Sequence, residues 1–545
     1  MIRDLKRLGT EKFDLLVIGG GITGACVAWD ASMRGLSVAM IDKSDFGAAT
    51  SSATSKLIHG GLRYLKNFEL GIVRESLKER RIMEFIAPHL VSPLPFVIPN
   101  YGMKDTLMLK AGMTLYDMLG YDKGRLADPD KRIPSHRGMS KVELTKMFPR
   151  VPGEGLSGGF HYYDCQMISS ERLTLSFVKS AAAAGAAVAN WLAVESFKMS
   201  GGTIQAAVAR DEIGGGTIEI QASCYLNASG CWADRLLGMV SGGESKTRIA
   251  RSKGIHIVIP QLHPAAAIAM ITKTRRHVFL MPWRGLAIAG TTDTPFKGDP
   301  DKLTVTMKDI EDFTGEINGC MPSLNLTPDD VIMTYGGLRP LADPDGAVED
   351  SYDASRKHEV IDHAREGLAD NLLSALGGKY TTSRFLAAQV TDAVFGKLGK
   401  AAAPCKTAAT RLVNAPDANM ADYKKDALAR HPEHPSELVA HLSTQYGTEW
   451  EKVASLLDAP GMKEKLVPGS EDVAAQMKFA AESECAAHLD DALLRRTDAL
   501  LFGKRARAEL VALAKVMAPS LGWDDARCEA EASRVENIIK SKFAD

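Results

Sequence analysis

The sequence predicts an α/β fold (α+β interleaved), a parallel sheet interleaved with an antiparallel one and followed by an all-helical tail, on three observations. A hydrophobic strand, Phe13 to Ile18, ends in Gly19-Gly20-Gly21-Ile22-Thr23-Gly24 and opens into a helix. Between Arg251 and Asp293, short apolar runs (255–259, 267–271, 278–281 and 286–289) alternate with turns, as antiparallel strands do. Glycine then falls from 43 in residues 1–400 to 5 in residues 401–545, where Ala, Leu, Lys and Glu dominate, which marks a domain boundary near 400.

The first of these elements is a dinucleotide cradle. Gly19 permits the tight turn, Gly21 lets backbone approach a pyrophosphate, and Gly24 lets the helix pack close on the strand. Ile22 and Thr23 begin that helix, whose free N–H groups suit phosphates. A purely structural glycine turn would not need an acid at the end of the second strand. Here that strand, Leu36 to Ile41, ends at Asp42 and Lys43, which puts a carboxylate at the spacing that binds a ribose. A nicotinamide dehydrogenase would continue with another βα unit. This chain instead runs a polar loop from Phe46 to Leu65, dense in small and hydroxyl residues, which suits a bulky ligand. That points to a Rossmann-like FAD-binding domain, with Thr50, Ser51, Ser52, Lys56, Leu57, His59 and Gly60 as candidate contacts.

At Ser51-Ser52-Ala53-Thr54-Ser55-Lys56-Leu57-Ile58-His59-Gly60-Gly61-Leu62-Arg63-Tyr64-Leu65 the sequence resembles the FAD-dependent (quinone-linked, aerobic-type) glycerol-3-phosphate dehydrogenase family of the D-amino-acid-oxidase-like flavoproteins. The likeness continues through 87–90, 227–232, 253–260, 290–293, 335–341, 355–358 and 377–382, and it adds Ala228, Gly230 and Trp232 to the cofactor contacts. The expected organisation is a 1–400 oxidoreductase region followed by a 401–545 C-terminal helical cap domain. Cofactor-binding segments fall at about 1–80, 155–235 and 336–400, and an antiparallel-sheet substrate domain at about 81–154 and 236–335. Asp490 to Thr497 resembles the family's helical cap.

Composition adds exclusions. Lys plus Arg is 66 against Asp plus Glu 67, so bulk charge gives no case for nucleic acid. Eight cysteines lie scattered without CxxC or His-Cys ligand spacing, which predicts reduced thiols, a reducing compartment and no metal centre. The cofactor strand begins too early to leave room for a signal peptide. The most apolar stretch, 181–190, is alanine-rich and reads as a buried helix running into the sheet rather than a membrane span.

The resemblance implies oxidation of glycerol 3-phosphate to dihydroxyacetone phosphate by hydride transfer from C2 to flavin. That chemistry needs a proton acceptor and converging positive charge. Carried over residue by residue, Arg63, Tyr64 and Arg356 anchor the phosphate, and His256 is the candidate base, with an ionisation near that of an ordinary histidine. Arg339 and Lys379 stabilise the alkoxide. Gly378, Lys379, Thr381 and Thr382 form a turn that also approaches the flavin, so Lys379 keeps two readings, and a core role for His256 on its strand stays open. His59 reads as a cofactor contact. The twin glycines at 377 and 378 bring backbone amides to the flavin and favour its reduced form.

Ser383, Ala388 and Ser169-Ser170 depart from the family pattern. They keep a non-catalytic flavin-binding subunit among the alternatives, beside an oxygen-using oxidase and a dehydrogenase of another small hydroxy or amino acid. The resemblance further implies membrane quinone as acceptor and peripheral attachment on the cytoplasmic side of the inner (plasma) membrane, with a homodimer compatible. The stretches 1–8 and 107–119, rich in aliphatic side chains, are the candidate contacts with the membrane surface.

Overall fold

The computed structural model describes residues 1–243, 249–263, 265–272, 276–342 and 358–541. The strand Lys12–Ile18 lies inside a sheet of order His358–Asp362, Leu372–Gly377, Thr217–Asn227, Lys12–Ile18, Val38–Ile41, Ala187–Ala189. Leu15 pairs in parallel with Cys224 on one side and Val38 on the other. Its apolar run is buried from Leu15 through Ile18, as a parallel strand covered on both faces requires. Helices Ile22–Met33, Ser170–Ala183 and Ser383–Leu398 pack together over this sheet, with Trp29 edge-on to Phe177. The alanine-rich stretch ends the second of these helices and enters the strand Ala187–Ala189.

A second sheet of ten strands has the order 294–296, 249–260, 286–290, 277–283, 267–271, 91–101, 156–167, 57–58, with 333–342 beside 249–260 and 137–140 beside 156–167. Strands over 249–290 form where the alternation placed them. Two differences stand out. Ala267–Ile271 pairs in parallel with Val91–Tyr101, so the sheet is not purely antiparallel. Leu156–Met167 and Met333–Ala342, assigned from the sequence mainly to the cofactor half, belong to this second sheet. Alternation shows which residues of a strand turn inward, not which sheet receives it.

The tail is helical, including Met420–Arg430, Ser436–Tyr446, Ala474–Ser483, Arg507–Leu521 and Asp525–Ser541. No described helix is long and apolar enough to cross a membrane. The two aliphatic stretches part company here. The helix Leu5–Thr10 buries Leu8, and Arg3 bonds Asn190 and Asp211, so the first stretch is docked. The helix Gly102–Leu119 instead exposes Met103, Leu107, Met108 and Met118.

Candidate active site

A cavity of about 940 Å³ runs from the glycine cradle across the junction of the two sheets. At the cradle end, Gly19 has φ +118, and a Cβ there would strike the carbonyl of Ala228. At Gly24 a Cβ would overlap the carbonyl oxygen of Gly19, so this glycine acts in helix–strand packing and does not itself line the cavity. The Asp42 carboxylate accepts from Gly20 N at 2.6 Å and Ser44 N at 2.8 Å, which fastens the end of the second strand to the turn. Burial raises its pKa, although those N–H groups work against the rise. Ser51 accepts from Ile22 N at 2.9 Å, joining the polar loop to the first turn of the helix.

Lys43 and Trp232 meet at the rim, with the ammonium 4.1 Å from the ring centroid. Both bond Asp301, at 2.7 and 2.9 Å, and Arg235 joins them. Asp301 comes from the other half of the chain, and no local motif marks it.

The loop is held from below by the strand Met333–Ala342. Thr50 donates to Leu338 O, Tyr335 donates to Thr54 O, and a Cβ on Gly337 would crowd Ala53. Farther along, His59 N donates to Thr381 Oγ1 at 3.2 Å, so the loop meets the Gly377-Gly378 turn, whose φ values of +68 and +87 call for glycine. Gly60 N donates to Asp164, which also takes Arg80 and the Tyr116 hydroxyl.

Positive charge gathers beyond this point. Arg63 lies over the Tyr64 ring and bonds its hydroxyl at 3.1 Å, while Lys379 Nζ sits 4.3 Å from the same ring centroid and donates to Ser76. Arg339 bonds Thr291 Oγ1 at 2.7 Å and lies 3.8 Å from Asp293. His256 is buried, with Nε2 2.8 Å from Ser55 Oγ, its ring flat against Tyr335, and Nδ1 without a hydrogen-bond partner. Burial, with Arg339 and Lys56 nearby, pushes its pKa down to about 3, which corrects the expected ionisation near that of ordinary histidine. Burial likewise lowers His59 and His277, each to about 4, with cations including Arg63 assisting in both cases. These imidazoles are neutral at pH 7.

Of the residues assigned from the sequence, His256, Arg339, Lys379, Arg63 and Tyr64 line this one cavity. So do Gly19, Gly21, Ile22, Thr23, Asp42, Lys43, Thr50, Ser51, Leu57, His59, Ala228, Gly230, Trp232, Gly378 and Thr381. Gly60, Ser52 and Thr382 do not line it, though each is next in sequence to a residue that does. Lys56 turns away: its ammonium is fully buried, 2.8 Å from Glu171 and 3.5 Å from Asp498. Arg356 lies outside the described residues. The departures from the family pattern are filled locally. Ser169 caps the helix Ser170–Ala183, Ser170 accepts from Thr54, and Ser383 donates to Tyr380 O.

The sequence reading missed the contribution of the tail. Asp45, three residues past Asp42, is fully buried and receives Arg496 through two bonds of 2.8 and 2.9 Å and Arg495 at 2.6 Å. The Arg495-Arg496 pair inside the resembling segment was the available signal. His277 had none, since it is one histidine on one strand.

A family profile described as FAD dependent oxidoreductase matches residues 14–388, and one described as the C-terminal domain of alpha-glycerophosphate oxidase matches 405–528. The chain belongs to the FAD-dependent oxidoreductases. Among these flavoproteins it is 34% identical to a glycerol-3-phosphate dehydrogenase of Synechocystis, over 99% of this chain and 98% of that protein. It is 30% identical to the aerobic glycerol-3-phosphate dehydrogenase of Staphylococcus aureus, over 98% and 96%. The solved glycerol-3-phosphate dehydrogenase of Bacillus halodurans, complexed with FAD, superposes with a TM-score of 0.79 at 27% identity, covering 99% of this chain and 96% of that one. FAD fits the site on its own terms: a glycine cradle that side chains would fill, an acid after the second strand, and a long cavity ending at polar groups.

Proposed function

We propose that the protein oxidises sn-glycerol 3-phosphate to dihydroxyacetone phosphate. Bound FAD supplies the hydride acceptor and the route by which electrons leave for a membrane quinone. The observation that carries this reading is convergence: Arg63 and Lys379 around Tyr64, Arg339 on Thr291, and His256 on Ser55 share the cavity that begins at the dinucleotide cradle. A phosphate dianion suits Arg63, whose guanidinium can offer two donors at once, and Tyr64 adds a hydroxyl. Arg356, in the motif 355–358, is assigned to the same phosphate. Arg339 stays protonated and stabilises charge developing on the substrate oxygen. His256, kept neutral, takes the hydroxyl proton at Nε2, the nitrogen now bonded to Ser55.

Attachment to the cytoplasmic face of the plasma membrane is part of the proposal. Support comes from the exposed Phe68, Met103, Leu107, Met108 and Met118, of which Phe68 and Met108 also line the cavity. An apolar patch beside a cavity mouth suits a lipid surface and a quinone drawn from it. The relation of the tail to a domain described for alpha-glycerophosphate oxidase supports oxygen as the acceptor in a second reading.

Absorbance of the purified yellow protein under argon tests the substrate: glycerol 3-phosphate should bleach the flavin and glycerol should not. Mixing the reduced protein with a short-chain quinone or with oxygen then separates the two acceptors. No bleaching by glycerol 3-phosphate overturns the reading.

A further inference from the structure

In the tail, the segment His431-Pro432-Glu433-His434-Pro435 joins the helix Met420–Arg430 to the helix Ser436–Tyr446. Three donor atoms, one each from His431, Glu433 and His434, all lie within 4.8 Å of one another. Glu433 Oε1 is 2.8 Å from His431 Nδ1 and 3.7 Å from His434 Nε2, separations that bracket the edge of a tetrahedral site with bonds of about 2.0–2.2 Å. The His434 side chain is only 6% exposed, yet neither of its ring nitrogens makes a hydrogen bond, and Nδ1 is fully buried. The nitrogen that faces Glu433 is Nε2, which is the one a metal would take.

The surroundings hold the donors in place. Pro432 and Pro435 restrict the backbone on either side of Glu433 and His434. Trp450 stands edge-on to the His431 ring at 4.7 Å, and the two imidazole planes lie within 2° of parallel. Glu451 Oε1, held by Arg430, stands 3.9 Å from His431 Nε2, beyond hydrogen-bond reach, and adds negative charge behind the site. None of these residues lines the flavin cavity.

We infer that His431, Glu433 and His434 form a divalent transition-metal site, of the zinc class, that ties two helices of the tail together. Two imidazoles and one carboxylate suit Zn²⁺ or Co²⁺ rather than Ca²⁺ or Mg²⁺, with water completing the shell. The expectation of no metal centre rested on cysteine spacing, to which a His-x-x-His turn is invisible.

The test uses untagged, flavin-loaded protein, treated with chelator, dialysed and titrated with Zn²⁺ by calorimetry and with Co²⁺ by visible absorption. About one equivalent should bind, with a Co²⁺ band of four- or five-coordinate character and a raised melting temperature. Glu433→Gln and His434→Ala should each weaken binding by about tenfold or more and remove the band. Glu433 is exposed, so its variant keeps the test decisive if His434→Ala folds poorly, and flavin absorbance reports folding in each sample. Failure of wild type to bind Zn²⁺ at submillimolar concentration, or unchanged binding in Glu433→Gln, would overturn the site.

Discussion

Ser55 Oγ lies 2.8 Å from His256 Nε2, and this is the only hydrogen bond among the described residues that either ring nitrogen makes. The other nitrogen is buried, so proton traffic through the imidazole must use the atom Ser55 holds. In the tautomer that a base requires, Ser55 donates to the one lone pair of Nε2, so a substrate hydroxyl must displace Ser55 or pass its proton through it.

The first prediction comes from that pair and from the depressed pKa. With His256 ionising at about 3, anaerobic flavin reduction should show no break near pH 6.5 that belongs to it, and should be limited by its protonation only in strong acid. His256→Asn should slow reduction about 10²- to 10⁴-fold, and Ser55→Ala by less. A break near pH 6.5 that disappears in His256→Asn would show that the bound state restores an ordinary histidine.

Anchoring is tested at Arg63. Its loss removes a charge-assisted bond to phosphate, which costs about 2–3 kcal/mol, or roughly 30- to 150-fold in KM, while kcat should change much less. Glycerol should remain a poor substrate for wild type and Arg63→Ala alike. An unchanged KM would move the phosphate elsewhere in the cavity.

The cradle glycines should separate into two phenotypes. Gly21→Val adds atoms beside Ser51, whose Oγ would be 3.1 Å from even a bare Cβ, so the protein should fold and purify colourless. Gly24→Val forces the helix off the strand, so its melting temperature should fall along with flavin content. Yellow, stable protein from both substitutions would contradict this division.

Arg496 and Asp45 form one of the buried ion pairs that join tail and cofactor domain, beside Arg172–Glu484 and Lys179–Glu484. Arg496→Ala leaves Asp45 buried with Arg495 and Asn190 as partners, and breaking such a pair costs about 3–5 kcal/mol. A clear drop in melting temperature should come with faster flavin loss, because Asp45 stands three residues from Asp42. Thermal melts followed by flavin fluorescence would measure both.

Acid sensitivity has a defined sign. His59, His89, His256 and His277 are lowered by burial to about 4, 3, 3 and 4, so the unfolded chain binds more protons than the folded one below about pH 6.5. Stability should therefore fall as pH drops from 6.5 toward 4. His89, with neither ring nitrogen hydrogen-bonded, lies off the cavity, and His89→Gln should flatten that slope in melts between pH 7.5 and 4.5. An equal slope in the variant would assign the loss to the other groups.

By itself the sequence determined the cradle, the acid after the second strand, the polar loop and the helical tail. Each is written in neighbouring residues: glycines at fixed offsets, an apolar run of strand length, a fall in glycine content. The family resemblance offered the cations and His256 as candidates, of which Arg63, Arg339, Lys379 and His256 line one cavity. Only the tertiary structure brought Ser55 to His256 across 201 positions and Arg496 to Asp45 across 451. It alone sent the Lys56 ammonium to Glu171 rather than into the cavity, and it placed Leu156–Met167 beside Val91–Tyr101. Those outcomes depend on which surfaces pack and which charges must be paired once water is excluded, and no local pattern of residues encodes them.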